Sequence, residues 1–499
     1  MFSEKFNIDT KLLDEYGAVD ISLSADIPMF IDPILIFNSD NIKYKELHEN
    51  IIKYMYFLSK KAELKLSDKE IKTWFTFNEV CNNWLGYSLK GNKGAALDIE
   101  FAKLLYKNIS FILNNNGISK GIHAEKIMLI HPGSGKDKIS DMTVNLIKGF
   151  LCEYTQNFTQ NNIKQNAKTF YVDKAEFNYD TETFVSKEYY LPYVINENGK
   201  EEYILLTPKN ILRYQEPAIN RSDFISNYNY VRQSIDNDSL RVQVGDYINK
   251  AVKEYHDLCE NMKKVPKQKV EEKIRMNAFE EMAEMYPEIY DYYIKLKEDA
   301  KNEIKSLATV ETEQQMIKFI SNVKKIVKMV DNNKDLFNNS KNAFEESKKR
   351  IEWFKSVIEN QDLYKNFYDP STGERLLNYE NELQRMFKLV WMQSAFKPDM
   401  ESNNGRGPAD VVVSYGATDV CIIEFKLASN NQLEHVFKQI DVYKAAHRTT
   451  EDIAVIFYFD NSEYDKVNKI LKKLDKVSQI NNTVYLIDCR KKLSASKVK

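Results

Sequence analysis

The stretch 405–426, GRGPADVVVSYGATDVCIIEFK, decides the fold of the C-terminal part of the chain. Two short runs rich in valine and isoleucine flank a glycine-containing turn, a pattern that predicts a β-hairpin. Asp410 begins the first strand, whereas Glu424 and Lys426 lie at the end of the second. In a hairpin these two ends are neighbours. Because alternate residues of a strand share a face, Glu424 and Lys426 are expected to point the same way, close to Asp410.

Two carboxylates and one lysine at the end of a sheet suit a divalent-cation site. Mg²⁺ takes oxygen ligands, usually one or two carboxylates together with waters and substrate phosphate oxygens. Without a cation the two carboxylates would repel each other, and one would stay protonated. The structural alternative is that Asp410 forms a turn and that Glu424 and Lys426 form a charge pair at a sheet edge. A carboxylate that interrupts a buried strand is costly unless it is paired or holds a metal, which favours the cation site.

These residues resemble the signature of the PD-(D/E)XK nuclease superfamily, in which an Asp, a hairpin and a (D/E)-x-K triplet follow one another. Here Ala409 separates Pro408 from Asp410, a departure that leaves the Asp in place. Gln439 and Tyr443 match the downstream QxxxY motif of one subgroup. The resemblance covers only the C-terminal part of the chain. It implies an α/β core of the restriction-endonuclease-like type.

The resemblance also implies an activity, the metal-dependent hydrolysis of DNA phosphodiester bonds. Asp410 and Glu424 would bind Mg²⁺, with Mn²⁺ as a substitute, and Lys426 would position the attacking water. On the preceding amphipathic helix, Glu380 would support the metal, with Glu382 as the alternative, although either could be an ordinary exposed glutamate. The other expected site residues are Gln439 in catalysis and Arg406 and Tyr443 in nucleic-acid binding.

A second polar group lies in the N-terminal half, where HPGSGKDKISD spans 131–141. Its spacing does not match the phosphate-binding pattern G-x-x-x-x-G-K-[ST], because Ile130 occupies the first glycine position, so no nucleotide cofactor is expected. Asp137 and Asp141 lie one helical turn apart. Asp137 is expected to cap the helix. A second polar or metal site, with Asp32 as a partner, is the less favoured alternative.

Composition and charge exclude several classes of protein. The net charge is −2, so any surface that binds nucleic acid must be local rather than a property of the whole chain. The five cysteines are scattered and predict neither a zinc site nor a disulfide framework. No apolar run approaches the length of a membrane span, and the N-terminus does not resemble a secretory signal. A cytoplasmic protein without a membrane partner is expected.

Composition also divides the 499 residues into three predicted domains. Residues 1–235 are expected to form an α+β domain for recognition or regulation. Residues 236–365, rich in Lys and Glu with apolar residues at helical spacing, predict a helical connecting or oligomerisation domain, so a homo-oligomer is expected. Residues 366–499 would form the α/β nuclease domain. The expected function is a DNA nuclease in anti-phage defence or restriction, and the alternatives are an inactive nuclease-fold protein for DNA binding or assembly and a DNA repair nuclease.

Overall fold

A computed structural model describes the chain from residue 1 to residue 492 with short gaps. The gaps are residues 24–25, 28, 86–94, 132–135, 197–198, 215–216, 263, 334–335, 337–339, 370–371, 378–379, 392–393, 395, 404–407 and 416–418. The protein is mixed α/β and forms two compact units. Unit 1 holds most of the chain up to Gln314, and unit 2 holds the chain from Gln315 onward. The boundary predicted at residue 235 therefore lies inside unit 1, and the one at residue 365 lies inside unit 2.

Unit 1 is mainly helical. Its helices are α1 Phe2–Phe6, α2 Thr10–Tyr16, α3 Pro33–Phe37, α4 Ile42–Ala62, α5 Asp68–Phe75, α6 Ala95–Leu113, α7 Lys126–Ile130, α8 Lys136–Leu146, α9 Lys148–Asn162, α10 Arg221–Ser226, α11 Tyr228–Gln233, α12 Asp238–Asn261, α13 Gln268–Met285 and α14 Glu288–Asp299. Helix α4 shows why such segments fold: the Asn41 side chain accepts a hydrogen bond from the Lys43 amide at its start, and its buried residues recur at helical spacing.

Two small sheets complete unit 1. Strands β1 Phe30–Ile31 and β5 Leu212–Arg213 pair in antiparallel fashion. Strands β2 Ala167–Asn178, β3 Thr183–Ile195 and β4 Glu201–Tyr203 form an antiparallel sheet in sequence order. Helix α15 Lys301–Asp331 then begins in unit 1 and ends in unit 2.

Unit 2 contains a five-stranded mixed sheet. Its strands are β6 Lys397–Asn403, β7 Pro408–Tyr415, β8 Asp419–Leu427, β9 Glu451–Tyr458 and β10 Val484–Asp488. Their order across the sheet is β10-β9-β8-β7-β6. Strands β6, β7 and β8 pair in antiparallel fashion, whereas β8, β9 and β10 pair in parallel fashion. The predicted hairpin is thus confirmed as β7 and β8, while its turn at residues 416–418 lies outside the described residues.

Helices cover both faces of this sheet. They are α16 Ala343–Asn360, α17 Glu380–Leu389, α18 His435–His447 and α19 Asn461–Lys473. One face of the sheet packs Phe425 and Phe457 against Phe354 of α16 and Phe387 of α17. The other face packs against α18 and α19. Since alternate residues of a buried strand face opposite layers, β8 can be apolar over most of its length.

None of the helices in the described part of the chain combines the length and the apolar character needed to cross a bilayer.

Candidate active site

The β7–β8 ladder brings the two predicted carboxylates together. Val411 pairs with Ile423, so Asp410 and Glu424 are neighbours across the ladder. The backbone amide of Asp410 donates to Glu424 Oε1 at 3.0 Å, and the amide of Phe425 donates to Asp410 Oδ2 at 2.7 Å. Each carboxylate is therefore held by the backbone of the opposite strand. This arrangement fixes both side chains at the end of the sheet.

Lys426 connects this pair to helix α17. Its Nζ lies 3.1 Å from Glu380 Oε2 and 4.0 Å from Glu424 Oε2. The other oxygen of Glu380 accepts hydrogen bonds from the Leu427 amide at 3.1 Å and from Asn430 Nδ2 at 3.2 Å. Glu380, the first residue of α17, thus ties the helix to the end of β8 and holds the lysine ammonium. Of the two glutamates proposed for this helix, it is Glu380 that contacts Lys426.

Burial dominates the electrostatics of the carboxylate pair. Burial raises the pKa of Asp410, an effect that Lys426 and the Phe425 amide oppose. Burial also raises the pKa of Glu424, to about 9, and the adjacent charge of Asp410 adds to the rise. Two buried carboxylates side by side cannot both stay ionised without a compensating charge. The pair therefore holds a proton when no cation is bound.

The lysine responds in the opposite direction. Burial alone would lower the pKa of Lys426, but the charges of Asp410, Glu380 and Glu424 together outweigh burial and raise that pKa. The ammonium thus remains charged beside the two carboxylates. A half-buried ammonium that is held in one position by Glu380 can orient a neighbouring anion or water.

The donor set fits a hard divalent cation. Across the described ranges no group of three or more His, Cys, Asp or Glu side chains is placed to hold a metal ion. Mg²⁺ does not require such a group, because one or two carboxylates with waters and substrate oxygens suffice. Asp410 and Glu424 supply two carboxylates whose shared proton a cation could replace. Their donor chemistry therefore matches the metal that the sequence predicts.

The remaining predicted residues lie at different distances from this pair. The ring of Tyr443 packs on Ala409, Val412 and Ile422, and its pKa is raised by burial and by the nearby charges of Glu424 and Asp410. Gln439 is exposed one helical turn before Tyr443 on α18. Arg406 lies outside the described residues. Tyr443 is thus near the carboxylates, whereas no contact of Gln439 with them is seen in the described part of the chain.

Sequence reasoning missed Asn430 and Lys466. Asn430 donates to Glu380, and Lys466 Nζ donates to the carbonyl oxygens of Ala428 at 2.8 Å and Asn430 at 2.7 Å. The Asn430 side chain also accepts from the Gln432 amide at 2.9 Å, as turn-forming asparagines do. The sequence signal was an Asn three residues after the end of the strand that carries the candidate triplet. These two residues fix the loop that follows β8.

The N-terminal polar residues take separate positions. Asp137 is exposed in the first turn of α8, and Ser140 Oγ accepts a hydrogen bond from the Ile31 amide at 3.1 Å. Asp32 is fully buried, and its Oδ2 accepts from the Ala218 amide at 3.1 Å. Most of the glycine-rich turn, residues 132–135, lies outside the described residues. Asp32 is close enough to Glu125 for its charge to raise the Glu125 pKa, so the fold creates a buried acidic pair that spacing did not predict.

Comparison with known protein families gives two matches, each to a family without an assigned activity. Residues 7–220 match a domain of unknown function (DUF8370), and residues 343–461 match another domain of unknown function (DUF8371). No curated protein and no solved structure matches the chain. The second match includes the candidate site residues from Glu380 to Tyr443, and Lys466 lies beyond its end.

Proposed function

We propose that unit 2 is a metal-dependent nuclease that hydrolyses phosphodiester bonds of DNA and has a PD-(D/E)XK-type core. One observation carries the proposal: the buried carboxylate of Glu424, the half-buried carboxylate of Asp410 and a lysine meet at the end of a hairpin in a mixed sheet that helices cover on both faces. Asp410 and Glu424 each hold a backbone amide of the other strand, and Lys426 lies 4.0 Å from Glu424. The order Asp, hairpin, Glu-x-Lys is the one that this superfamily shares.

The charges of the site support a cation-dependent reaction on an anion. Three carboxylates, those of Asp410, Glu424 and Glu380, surround one ammonium, that of Lys426. A phosphodiester would be repelled from such a group unless a cation offset the negative charge. A metal ion bound by Asp410 and Glu424 would do so, and it would supply an activated water and stabilise the charge on the phosphorus.

The chain's own residues then have separate roles. Asp410 and Glu424 would hold the cation, which would take the place of the proton they share. Lys426, kept charged by the carboxylates around it and held by Glu380, orients the attacking water or the phosphate oxygen. Glu380 acts as a positioning residue for Lys426, in addition to any contact with the metal's water shell. Tyr443, and Gln439 on the exposed side of α18, would contact the DNA backbone.

Plasmid cleavage by the purified full chain tests this function. Supercoiled plasmid is incubated with Mg²⁺, with Mn²⁺ or with EDTA, and nicked and linear products are separated on gels. Glu424→Gln and Asp410→Asn keep the shape of each side chain and remove its charge. Loss of an interaction that stabilises the transition state costs about 100-fold or more in rate, so either variant should lose cleavage to that extent. Glu451→Gln, which changes an exposed carboxylate on the neighbouring strand β9, serves as the matched control.

The outcomes separate the proposal from an inactive nuclease-fold protein. Cleavage that requires metal and disappears in both isosteric variants, but not in the control, supports the nuclease. Cleavage that persists at full rate in Glu424→Gln, or in EDTA, refutes the site. DNA binding without any cleavage under all conditions would show instead that the fold serves as a binding module.

A further inference from the structure

We infer that unit 1 carries a binding groove for a small organic cation, independent of the nuclease proposed for unit 2. The groove is formed by the end of α2, by α4, by the start of α9 and by the end of β2, and it has a volume of about 740 Å³. This size lies within the range of sites for small molecules, roughly 300–1,000 Å³. Its wall combines aromatic rings with carboxylates, and this combination defines the chemistry of the ligand.

Aromatic rings supply much of the surface of the groove. Tyr44 and Phe150 meet edge to face with centroids 5.8 Å apart, and Phe150 lies 6.0 Å from Tyr154. Phe177 and Tyr179 form a second group, with centroids 5.0 Å apart. The aromatic face carries negative potential, so clusters of this kind attract ammonium groups.

The hydroxyl groups of three tyrosines of the groove are already used within the protein. Tyr154 OH donates to the Tyr16 carbonyl at 2.9 Å, and Tyr16 OH donates to the Tyr154 carbonyl at 2.7 Å. Tyr44 OH donates to Asn210 Oδ1 at 2.9 Å. These rings therefore offer a ligand their carbon surface rather than a phenol group. Recognition through ring faces suits a cation better than a ligand that needs hydroxyl partners.

The charged residues of the groove are mostly acidic. Glu46, Glu153 and Glu176 line it, against a single ammonium from Lys43. Glu176 is paired with Lys187, whereas Glu46 and Glu153 form no ion pair with any residue that the structure describes. Set against the one ammonium of Lys43, the carboxylates of Glu46 and Glu153 leave the groove net negative beside its aromatic rings, so it attracts a cation and repels a phosphate.

Two local features shape the wall of the groove. Lys53 Nζ lies 4.2 Å from the centroid of the Tyr179 ring, so the chain's own ammonium already uses one of the groove's rings. Gly149 lets Glu176 approach helix α9, because a Cβ at that position would lie 2.7 Å from Glu176 Cγ. The carboxylate of Glu176 is thus packed into the wall beside the rings.

Calorimetric titration of the full chain with two cations tests the groove. Choline carries one quaternary ammonium, and spermidine carries several ammonium groups along a chain, so the two probes distinguish the form in which the charge is presented. At least one should bind at low salt and more weakly at high salt, because exposed charges are screened. Adenosine, which can stack on rings without charge, should bind less tightly than the better cation.

Matched variants locate the binding site. Glu153→Gln should lower the affinity for the better-binding cation about two- to fivefold, the usual effect of one exposed charge. Phe150→Leu should lower that affinity to a similar extent. Glu49→Gln, an exposed change on α4 outside the groove, should leave affinity unchanged. Thermal melts confirm that each variant is folded. The inference is overturned if neither cation binds, if Glu153→Gln binds as tightly as the parent protein, or if adenosine binds more tightly than both cations. All of these readouts are binding measurements, so they do not depend on DNA cleavage.

Discussion

Replacing Glu125 with glutamine is expected to stabilise unit 1 at pH 8 and to have little effect at pH 4.5. Glu125 is fully buried, and neither of its carboxylate oxygens has a hydrogen-bond partner among the described residues. Burial raises its pKa from 4.5 to about 7; His123 opposes this rise and the charge of Asp32 adds to it. Glutamine has nearly the same shape and carries no charge at any pH.

The direction of the effect follows from proton linkage. Below pH 4.5 the side chain is protonated in both folded and unfolded chains, so titration of Glu125 contributes no difference. Between 4.5 and about 7 the folded protein keeps a proton that the unfolded chain releases, and stability falls as pH rises. The pKa of Glu125 rises from 4.5 to about 7, and each pKa unit corresponds to about 1.36 kcal/mol. The folded protein therefore loses about 3 kcal/mol of unfolding free energy above pH 7. The glutamine variant should not show this loss.

Urea unfolding at pH 4.5 and pH 8 measures the difference. Trp74 and Trp84 lie in unit 1, so a background in which Trp353 and Trp391 are replaced by phenylalanine makes tryptophan fluorescence report on that unit. The free energy of unfolding of the variant should exceed that of its parent by about 3 kcal/mol at pH 8. At pH 4.5 the two values should agree within about 1 kcal/mol. Glu15→Gln, an exposed change in the same unit, is the control. Parallel pH profiles for the Glu125→Gln variant and its parent would refute the buried titration.

Three further expectations concern packing and exposure. Arg350→Met should lower the unfolding free energy of unit 2 by about 3 kcal/mol or more in denaturant unfolding, because the buried guanidinium donates to Glu346 and to two backbone carbonyls. A loss below about 1 kcal/mol would contradict this expectation. Iodoacetamide should modify Cys81 first among the five cysteines, since the other four are buried, and peptide mass spectrometry would show any other order. Gly121→Ala should lower the free energy of unfolding by about 1–3 kcal/mol, because the added Cβ would lie 2.6 Å from Phe37 Cε2. Phe37→Leu combined with it in the same chain should restore part of that stability.

The sequence predicts the geometry of the candidate site where a single local rule controls it. A hairpin register fixes which residues are neighbours, so Asp410 and Glu424 could be placed together from their positions alone. The Glu380 contact is different in kind. Glu380 Oε1 accepts a hydrogen bond from the Leu427 amide, which lies 47 positions later in the sequence. Whether these two atoms meet depends on how α17 packs on the sheet. Sequence reasoning could nominate Glu380 by its helical angle but could not assign its partners.

Strand β6 Lys397–Asn403 shows a second limit. Its sequence, KPDMESN, contains no β-branched residue, and one proline and four charged or amide side chains argue against a strand. The segment nevertheless pairs with β7 over most of its length, from Lys397 opposite Ser414 to Asn403 opposite Pro408. Pairing with an existing strand, at the edge where proline is tolerated, overrides intrinsic propensity. Local composition could not reveal that partner.

The division between units 1 and 2 is not marked in the sequence for a related reason. A helical period indicates a helix, but it does not indicate which core the helix serves. Helix α15 Lys301–Asp331 contributes Ile304 and Ala308 to a core of unit 1 and Ile326 and Val330 to the core of unit 2. One continuous amphipathic pattern therefore crosses from one unit to the other.

The two buried acidic pairs of this protein show why surroundings, not burial alone, determine what a carboxylate pair can do. Asp410 and Glu424 each accept a backbone amide and lie at the end of a strand beside a charged lysine. Asp32 Oδ2 accepts from the Ala218 amide at 3.1 Å, whereas Asp32 Oδ1 and both oxygens of Glu125 are buried without a well-formed hydrogen bond to any residue that the structure describes. Donors that fix carboxylates in one orientation preorganise them for a cation, since little rearrangement is needed when the proton leaves. Both pairs respond to burial by keeping a proton when no cation is bound, so what distinguishes them is whether donors hold the carboxylates in place for a cation. Metal dependence is therefore expected of the pair in unit 2, and pH-dependent stability of the pair in unit 1.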